Sequence, residues 1–388
     1  MRAAAPGVLL VLIMAQPNLA TGMMPYYRHA WGLAPLLITV IFAAYLFALV
    51  PTLALLGTPP SRAGWWWRIG FGSGCGIAAD IAMSLADSAT PACVARIFAG
   101  LSVGLVTGSL AGLILERSGE RGRTAMATAT VLGSALGTIG AAWAAQYLPR
   151  PGVTAYAGHA VLLGIVAAVV VSNRSPVERA RIDAARTALP STESPIAGYL
   201  NGIAAWVSAG LVVALLPSYG AELLGTGNLA LLALPVTLYL VSAWVVQRAV
   251  PPNVLPGEPI LGQLSIIGGI ALAAAVALAP NLLLLLAGAA LAGCGQGIAY
   301  RTGLRIVSAA TPPDRHARVA ARYAAVAYLC AAVATIGFGV VATVGTMPLA
   351  VVAAAIVLCA VAAATVLVRG RATARVPVDS PAPTTTTA

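Results

Sequence analysis

The chain has 388 residues, of which 60% are hydrophobic and only 9% are charged. Soluble globular domains carry roughly 25% charged residues, so this composition excludes an ordinary soluble protein. At about 20 residues per crossing, the length allows on the order of a dozen transmembrane helices and leaves no room for a large extramembrane domain.

Apolar runs of roughly 17 to 26 residues follow one another along the whole chain. The first could instead be a secretory signal, because Arg2 precedes it and small residues follow at Ala20 and Thr21, but a membrane span is favoured. The sequence therefore predicts an all-α integral membrane protein with 12 transmembrane helices. These begin near Pro6, Leu33, Ile69, Ala92, Thr124, Val153, Ile196, Leu229, Ile260, Leu282, Val319 and Pro348.

The longest interruption between apolar runs divides the chain into two halves. Residues 1–172 are predicted to form one six-helix bundle and residues 195–369 a second, joined by a cytoplasmic linker over 173–194. The segment 370–388 ends in PAPTTTTA, which has no means of burying apolar surface, so we expect a disordered cytoplasmic tail.

The distribution of arginine predicts the orientation of the chain in the membrane. The 22 basic residues are all arginine. With the N-terminus in the cytoplasm, 16 fall on the cytoplasmic side, whereas only Arg28 and Arg150 face outward. We therefore predict a multi-pass protein of the cell inner (plasma) membrane with both termini cytoplasmic. The arginines form short clusters between apolar runs, which argues against a nucleic-acid partner.

Short segments recur at a nearly constant offset in the two halves. MPYY at Met24–Tyr27 matches LPSY at Leu216–Tyr219, 192 residues later, and FAGLSVG at Phe98–Gly104 matches LAGCGQG at Leu291–Gly297, 193 residues later. This agreement in order and spacing indicates a duplicated six-helix unit. Because six is even, both copies have the same orientation in the membrane.

The loop between the second and third spans reads GTPPSRAGWW and resembles the cytoplasmic signature of the major facilitator superfamily of transporters. Gly57, Arg62 and Gly64 match the signature, and the resemblance implies a role for them in conformational gating. Ser61 stands in place of the acidic residue, and two tryptophans stand in place of the basic pair.

Two further spans carry patterns of the same family. The fourth reads RIFAGLSVG and is similar to the fourth-helix pattern of the family at Arg96, Gly100 and Gly104. The fifth reads LGSALGTIG and is similar to a pattern of exporters, with Thr138 in place of a proline. The resemblance covers all but the tail and implies two parallel six-helix repeats around a central cavity, which rock to give alternating access.

Asp80 and Arg96 are charged residues within consecutive predicted spans. A charge inside the bilayer is costly unless it is paired, so each is a candidate functional residue. Asp80 lies about 9 Å and Arg96 about 8 Å from the same membrane face, which predicts an ion pair that couples transport to protons. A static pair that only fixes helix packing is the alternative. We interpret His159 as a packing or interface residue rather than a proton relay.

Polar side chains on the helices that line the cavity in this family are candidate substrate contacts. The first span contains AQPN, where Pro17 is predicted to break the helix. Arg301 and Arg305 share a helix face and either extend to the interface or form a positive vestibule for an anion. The candidate substrate contacts are Gln16, Asn18, Asn201, Trp206, Gln296, Tyr300 and Arg301.

These features favour a secondary active transporter that exports a small organic compound, a drug or secondary metabolite, by proton antiport. Such efflux is a route to antibiotic resistance. The alternatives are uptake of a small organic anion, or a non-transporting sensor, assembly partner or enzyme on a transporter fold. The five cysteines lack metal-ligand spacing, and we expect neither a metal, a cofactor nor an enzymatic activity. The expected partners are the substrate, protons and the lipid bilayer, with the chain acting as a monomer.

Overall fold

A computed structural model describes residues 4–56, 62–118, 120–173, 193–251, 254, 257–309, 311 and 315–373. Glycine 57 and nearly all of the predicted linker and tail lie outside these ranges. Helices follow in the order α1 (Ala5–Ala30), α2 (Pro35–Leu56), α3 (Arg62–Leu85), α4 (Ala89–Ser118), α5 (Glu120–Tyr147), α6 (Pro151–Ser172), α7 (Pro195–Ala214), α8 (Leu216–Leu224), α9 (Leu229–Leu232), α10 (Leu234–Ala249), α11 (Glu258–Ala275), α12 (Leu282–Ala309), α13 (His316–Val344) and α14 (Met347–Thr373).

The helices account for the twelve predicted spans. The seventh span is divided into α7 and α8 at Leu215, and the eighth into α9 and α10 at Ala233. Within the described residues, 11 helical segments are long and apolar enough to cross a membrane. The helix α3 is less apolar but packs between α4 and α6. The predicted disordered tail begins too early, because α14 continues through Thr373.

The helices of the two halves pair in the same way. In the first half, α1 packs on α5, α2 on α4, and α3 on both α4 and α6. In the second half, α7 packs on α13, α10 on α12, and α11 on both α12 and α14. The halves meet where α2 packs on α13 and where α5 packs on α10. This repeated pattern confirms the predicted fold class of two parallel six-helix repeats.

The recurring glycine motif is the sequence signature of one of these pairings. Gly100 of α4 lies against the backbone carbonyl of Tyr45 in α2, and Gly293 of α12 lies against the carbonyl of Tyr239 in α10. The two glycines are 193 residues apart, as the repeat predicts. Small residues allow helix backbones to approach closely, so each glycine permits its pair of helices to pack in direct contact.

The predicted break in the first span is wrong. Helix α1 is continuous from Ala5 to Ala30, with Pro17 and Pro25 inside it. Side chains donate to carbonyls near Pro17: Asn18 to Met14 at 2.9 Å and Arg96 to Pro17 itself at 2.6 Å. Proline is tolerated in a transmembrane helix where such donors satisfy the surrounding backbone, so the helix does not end here.

Replacing Gly100 with alanine tests the close approach of α4 to α2. The added methyl group would meet the Tyr45 carbonyl, and overpacking of this kind costs about 1–3 kcal/mol. We expect Gly100→Ala to lower the thermal unfolding temperature of the detergent-purified protein. Gly140→Ala is the matched control, because that position faces open space. Equal unfolding temperatures for the two variants would contradict the packing described here.

Candidate functional site: a central cavity with one buried arginine

A cavity of about 320 Å³ lies between the two halves of the bundle. Its walls come from α1, α2, α4 and α5 of the first half and from α7, α10, α12 and α13 of the second. Most of the lining is apolar, with a few amide and hydroxyl side chains. The volume falls at the lower end of the range of ligand pockets, so the cavity suits a small organic molecule.

One end of the bundle, at which α1 begins and α14 ends, is called here the terminal face; the opposite end is the distal face. The cavity extends toward the terminal face, because its lining includes Leu53 and Gln247 near the ends of α2 and α10, and Ala127 near the start of α5. It reaches only as far as Thr21 and Arg96 in the distal direction.

Contacts between the halves close the distal face. Arg28 on α1 donates to the Glu222 carboxylate on α8 at 3.1 Å. The Gln146 side chain on α5 accepts from the backbone N–H of Leu229 at 2.7 Å. Thr343 on α13 accepts from the backbone of α2 at 2.9 Å. These contacts join α1, α2 and α5 to the second half, so a molecule in the cavity is separated from the distal face.

Arg96 lies in the cavity wall and is almost completely buried, with 2% of its surface exposed. Its Nη1 donates to the Pro17 carbonyl at 2.6 Å, and its Nε donates to the Ile41 carbonyl at 3.3 Å. Its guanidinium carbon lies 4.9 Å from the centre of the Tyr45 ring, within the range of a cation–π interaction. Carbonyls and a ring solvate the cation here without neutralising its charge.

Asp80 is fully buried and contacts α1 and α6. Its Oδ2 lies 2.6 Å from His159 Nδ1, and its Oδ1 accepts from Gln16 Nε2 at 3.2 Å. The other ring nitrogen of His159, Nε2, lies 3.0 Å from the Leu12 carbonyl. The helix α1 thus supplies partners for both residues, and the group lies beside the cavity without lining it.

The two contacts of His159 limit the proton arrangements that satisfy both. A carbonyl oxygen can only accept, so the Leu12 contact is a hydrogen bond when Nε2 carries a proton. The contact between Nδ1 and Asp80 then needs a second proton, held either by an imidazolium next to a carboxylate or by a carboxylic acid next to a neutral ring. In both arrangements the pair shares one proton and has no net charge.

The predicted ion pair between Asp80 and Arg96 is wrong. Asp80 contacts His159 and Gln16, while Arg96 contacts backbone carbonyls and Tyr45. The predicted depths placed both residues at a similar level, but α3 directs Asp80 toward α1 and α6 rather than toward α4. His159, which the sequence analysis interprets as a packing or interface residue, is the partner of this buried carboxylate.

Four of the predicted substrate contacts, Asn18, Trp206, Gln296 and Tyr300, line the cavity. Three others do not. Gln16 points to Asp80, and Asn201 donates to the Ala197 carbonyl of its own helix at 2.9 Å. Arg301 lies outside the cavity lining, near the terminal face. The cavity also contains Tyr45 and Tyr328, which the sequence motifs did not single out.

Arg301 is part of an ion-pair cluster between α11 and α12. It donates to Glu258 at 3.2 Å and also to the Val250 carbonyl, and Arg305 donates to the same carboxylate at 3.1 Å. Glu258 is 3% exposed and accepts from Thr302 as well. The cluster joins two helices of the second half. Arg301, predicted to contact substrate, instead contacts Glu258 and Val250 and does not line the cavity.

The candidate gating motif lies at the start of α3. Arg62 is the first residue of that helix and Gly64 lies in its first turn, whereas Gly57 is outside the described residues. The next residue, Trp65, packs its indole ring on Gly112 of α4. A tryptophan therefore occupies the place between α3 and α4 at which the family signature would have a charge.

The comparisons with known proteins rest on structure, because neither a family model nor a curated protein matches the sequence. The chain is similar to a mutant form of the nucleoside transporter NupG, with a TM-score of 0.74, 12% identity, and coverage of 95% of this chain and 100% of that one. A second NupG structure gives a TM-score of 0.70 at 11% identity, covering 94% and 98% of the two chains.

A third solved structure also matches nearly the whole chain. It is a bacterial homologue of the human lysosomal transporter Spinster in an inward-facing, occupied conformation, with a TM-score of 0.70, 13% identity and 98% coverage of both chains. At these identities the likeness establishes the fold. The chain shares the fold of these solved transporters, which agrees with the fold that its motifs predict.

Double-mutant cycles test the pairing of the buried charges. Removing one partner of a buried pair costs about 3–5 kcal/mol, so Asp80→Leu and His159→Leu should each destabilise the protein strongly. The double variant should lose less stability than the sum of the losses in the two single variants. The difference is an interaction energy of about 0.5–3 kcal/mol, measured by thermal unfolding in detergent. Asp80→Leu combined with Arg96→Gln is the control, and strong coupling there instead would restore the predicted Asp80–Arg96 pair.

Proposed function

We propose that the chain is a secondary active transporter that moves a small organic compound across the membrane by alternating access. The observation that carries this proposal is the central cavity, which extends toward the terminal face and is separated from the distal face by contacts between the halves. Rocking of the halves would close the cavity toward the terminal face and open it toward the distal face. The likeness to solved transporters supports transport rather than enzymatic catalysis. One chain builds the whole cavity, which supports a monomer.

The buried pair of Asp80 and His159 is our candidate for proton coupling. In its protonated form the pair has no net charge, and loss of the proton would leave a net negative charge in the membrane interior, where an uncompensated charge is costly. Both residues contact α1, and Arg96 of the cavity wall contacts the same helix at Pro17. A change in the position of α1 would therefore alter the surroundings of the proton and of the cavity together.

Export of a drug or secondary metabolite in exchange for protons is the form of transport that the sequence motifs favour. The largely apolar cavity supports a weakly polar or amphipathic cargo. A second candidate is uptake of a small organic anion together with protons. One specific observation favours it, namely a cavity cation, Arg96, with no carboxylate partner among the described residues.

Flux into proteoliposomes under an imposed pH gradient tests the proposal and separates its two forms. Neutral, cationic and anionic compounds are supplied outside the vesicles, and their accumulation is measured. An antiporter accumulates cargo when the interior is more acidic, because protons leave as cargo enters. A proton symporter accumulates cargo when the interior is more alkaline. Random insertion does not change these signs. Absence of protein-dependent flux for the whole panel would contradict the transport function.

Asp80→Asn tests the site of proton coupling in the same vesicles. Asparagine resembles the uncharged form of aspartate but cannot release a proton. We expect the variant to lose accumulation driven by the pH gradient while it retains exchange of labelled for unlabelled cargo. Full gradient-driven accumulation at unchanged protein level would show that coupling does not need this carboxylate.

We also propose that the terminal face is cytoplasmic, on the basis of the arginine distribution. Single cysteines introduced into 173–194 and after Arg369, in a variant lacking the five native cysteines, should resist an impermeant maleimide added to intact cells. Arg150→Cys should react with it from outside. Labelling of the first two segments in intact cells, or protection of the third, would reverse the topology.

A further inference from the structure

The charge of the central cavity is set by one residue. Arg96 is the only charged side chain among the described residues that form the lining. Its two hydrogen bonds go to neutral carbonyls, which leaves three of the five guanidinium N–H donors for other partners. The Asp80–His159 pair beside the cavity has no net charge in its protonated form. The cavity wall therefore contains a buried positive charge that has no carboxylate partner among the described residues.

The wall that the second half contributes to the cavity is rich in aromatic side chains. The Trp206 ring makes edge contacts with two tyrosines, with ring centres 6.0 Å from Tyr300 and 4.3 Å from Tyr328. Interplanar angles of 83° and 75° give the T-shaped arrangement that aromatic pairs favour. All three rings line the same cavity as Arg96. A planar apolar group could pack against these rings while an attached charge reaches the guanidinium.

We propose that the cavity binds a small aromatic monoanion, with its carboxylate on Arg96 and its ring against Trp206, Tyr300 and Tyr328. A carboxylate can accept two parallel hydrogen bonds from the N–H groups of a guanidinium. Such charge-assisted hydrogen bonds are roughly twice as strong as those between neutral groups. One fixed positive charge matches one negative charge, so dianions and cations would leave an uncompensated charge in the site. The inference deepens the proposed transport function in its second form and rests on it.

The size of the cavity limits the cargo further. About 320 Å³ accommodates a single substituted ring rather than a large multi-ring drug. The remaining polar groups in the lining, such as Asn18 and Gln296, offer amide groups for ring substituents. The structure therefore assigns the acid group to a residue of the first half and the ring to residues of the second, and it leaves the substituents of the ring to determine selectivity.

A ligand-binding measurement on the purified protein tests this assignment without requiring transport. Benzoate, neutral benzamide and cationic benzylamine share one ring and differ in charge. Binding is measured by thermal shift and by titration calorimetry in detergent at constant ionic strength. We expect benzoate to raise the unfolding temperature and to bind at least about tenfold more tightly than benzamide, with no effect of benzylamine. Chloride at the same concentration should not reproduce the shift.

Variants separate the two halves of the proposed site. Arg96→Gln keeps a hydrogen-bond donor but removes the charge, so the affinity for benzoate should fall to that for benzamide. Trp206→Leu should weaken both ligands by a similar factor while the preference for the anion remains. Arg248→Gln is the matched control, because this exposed arginine is not part of the cavity lining. Arg96→Lys provides a second test if Arg96→Gln does not fold: it keeps the charge and should keep the anion preference.

The outcomes distinguish this inference from the transport function. Equal binding of benzoate and benzamide, unchanged benzoate binding by Arg96→Gln, or an equal shift with chloride would overturn the aromatic-anion site. Anion-selective binding without any flux in vesicles would leave the site intact and contradict transport. Protein-dependent flux of neutral or cationic compounds without anion-selective binding would support transport and overturn the inference.

Discussion

The backbone carbonyls of α1 around Pro17 hold the buried polar groups of the first half in place. Inside a bilayer, every polar group must find a partner within the protein, because no water replaces it. The carbonyl of Leu12 accepts from His159 and that of Pro17 accepts from Arg96. The charged cavity wall and the proton-sharing pair therefore depend on neighbouring turns of a single helix. Any movement of α1 in the proposed rocking of the halves would act on both.

The sequence predicted the helices well because each span needs only length and apolar composition. It also predicted that Asp80 and Arg96 lie at similar depth, since depth follows from the rise per residue along a helix. The direction in which a side chain points depends instead on the rotation and packing of its helix, and the depth of the residue gives no information about either. The same depth argument would have succeeded for Glu258 and Arg301, which do meet across a hairpin.

The two halves share a fold but not the chemistry of their terminal ends. Trp65 and Gly112, which pack together in the first half, lie 193 residues before Glu258 and Arg305, which form an ion pair in the second. The repeat therefore uses an apolar contact and an ionic one at equivalent places between paired helices. The altered signature in the first half therefore keeps a contact between α3 and α4, because the Trp65 ring packs on Gly112. Sequence comparison between the halves could have identified this pair once the offset was known.

In the proposed transport cycle, the charges around α1 would also relate the sign of the cargo's charge to the direction in which the proton moves. The Asp80–His159 pair is neutral with its shared proton and negative without it, so a deprotonated pair would compensate part of the Arg96 charge. An anion bound at Arg96 competes for that role and makes loss of the proton more costly. Because coupling between two binding sites is reciprocal, proton and anion would favour each other and cross the membrane together. Through this arrangement, the negative charge of the cargo would favour symport with the proton over antiport.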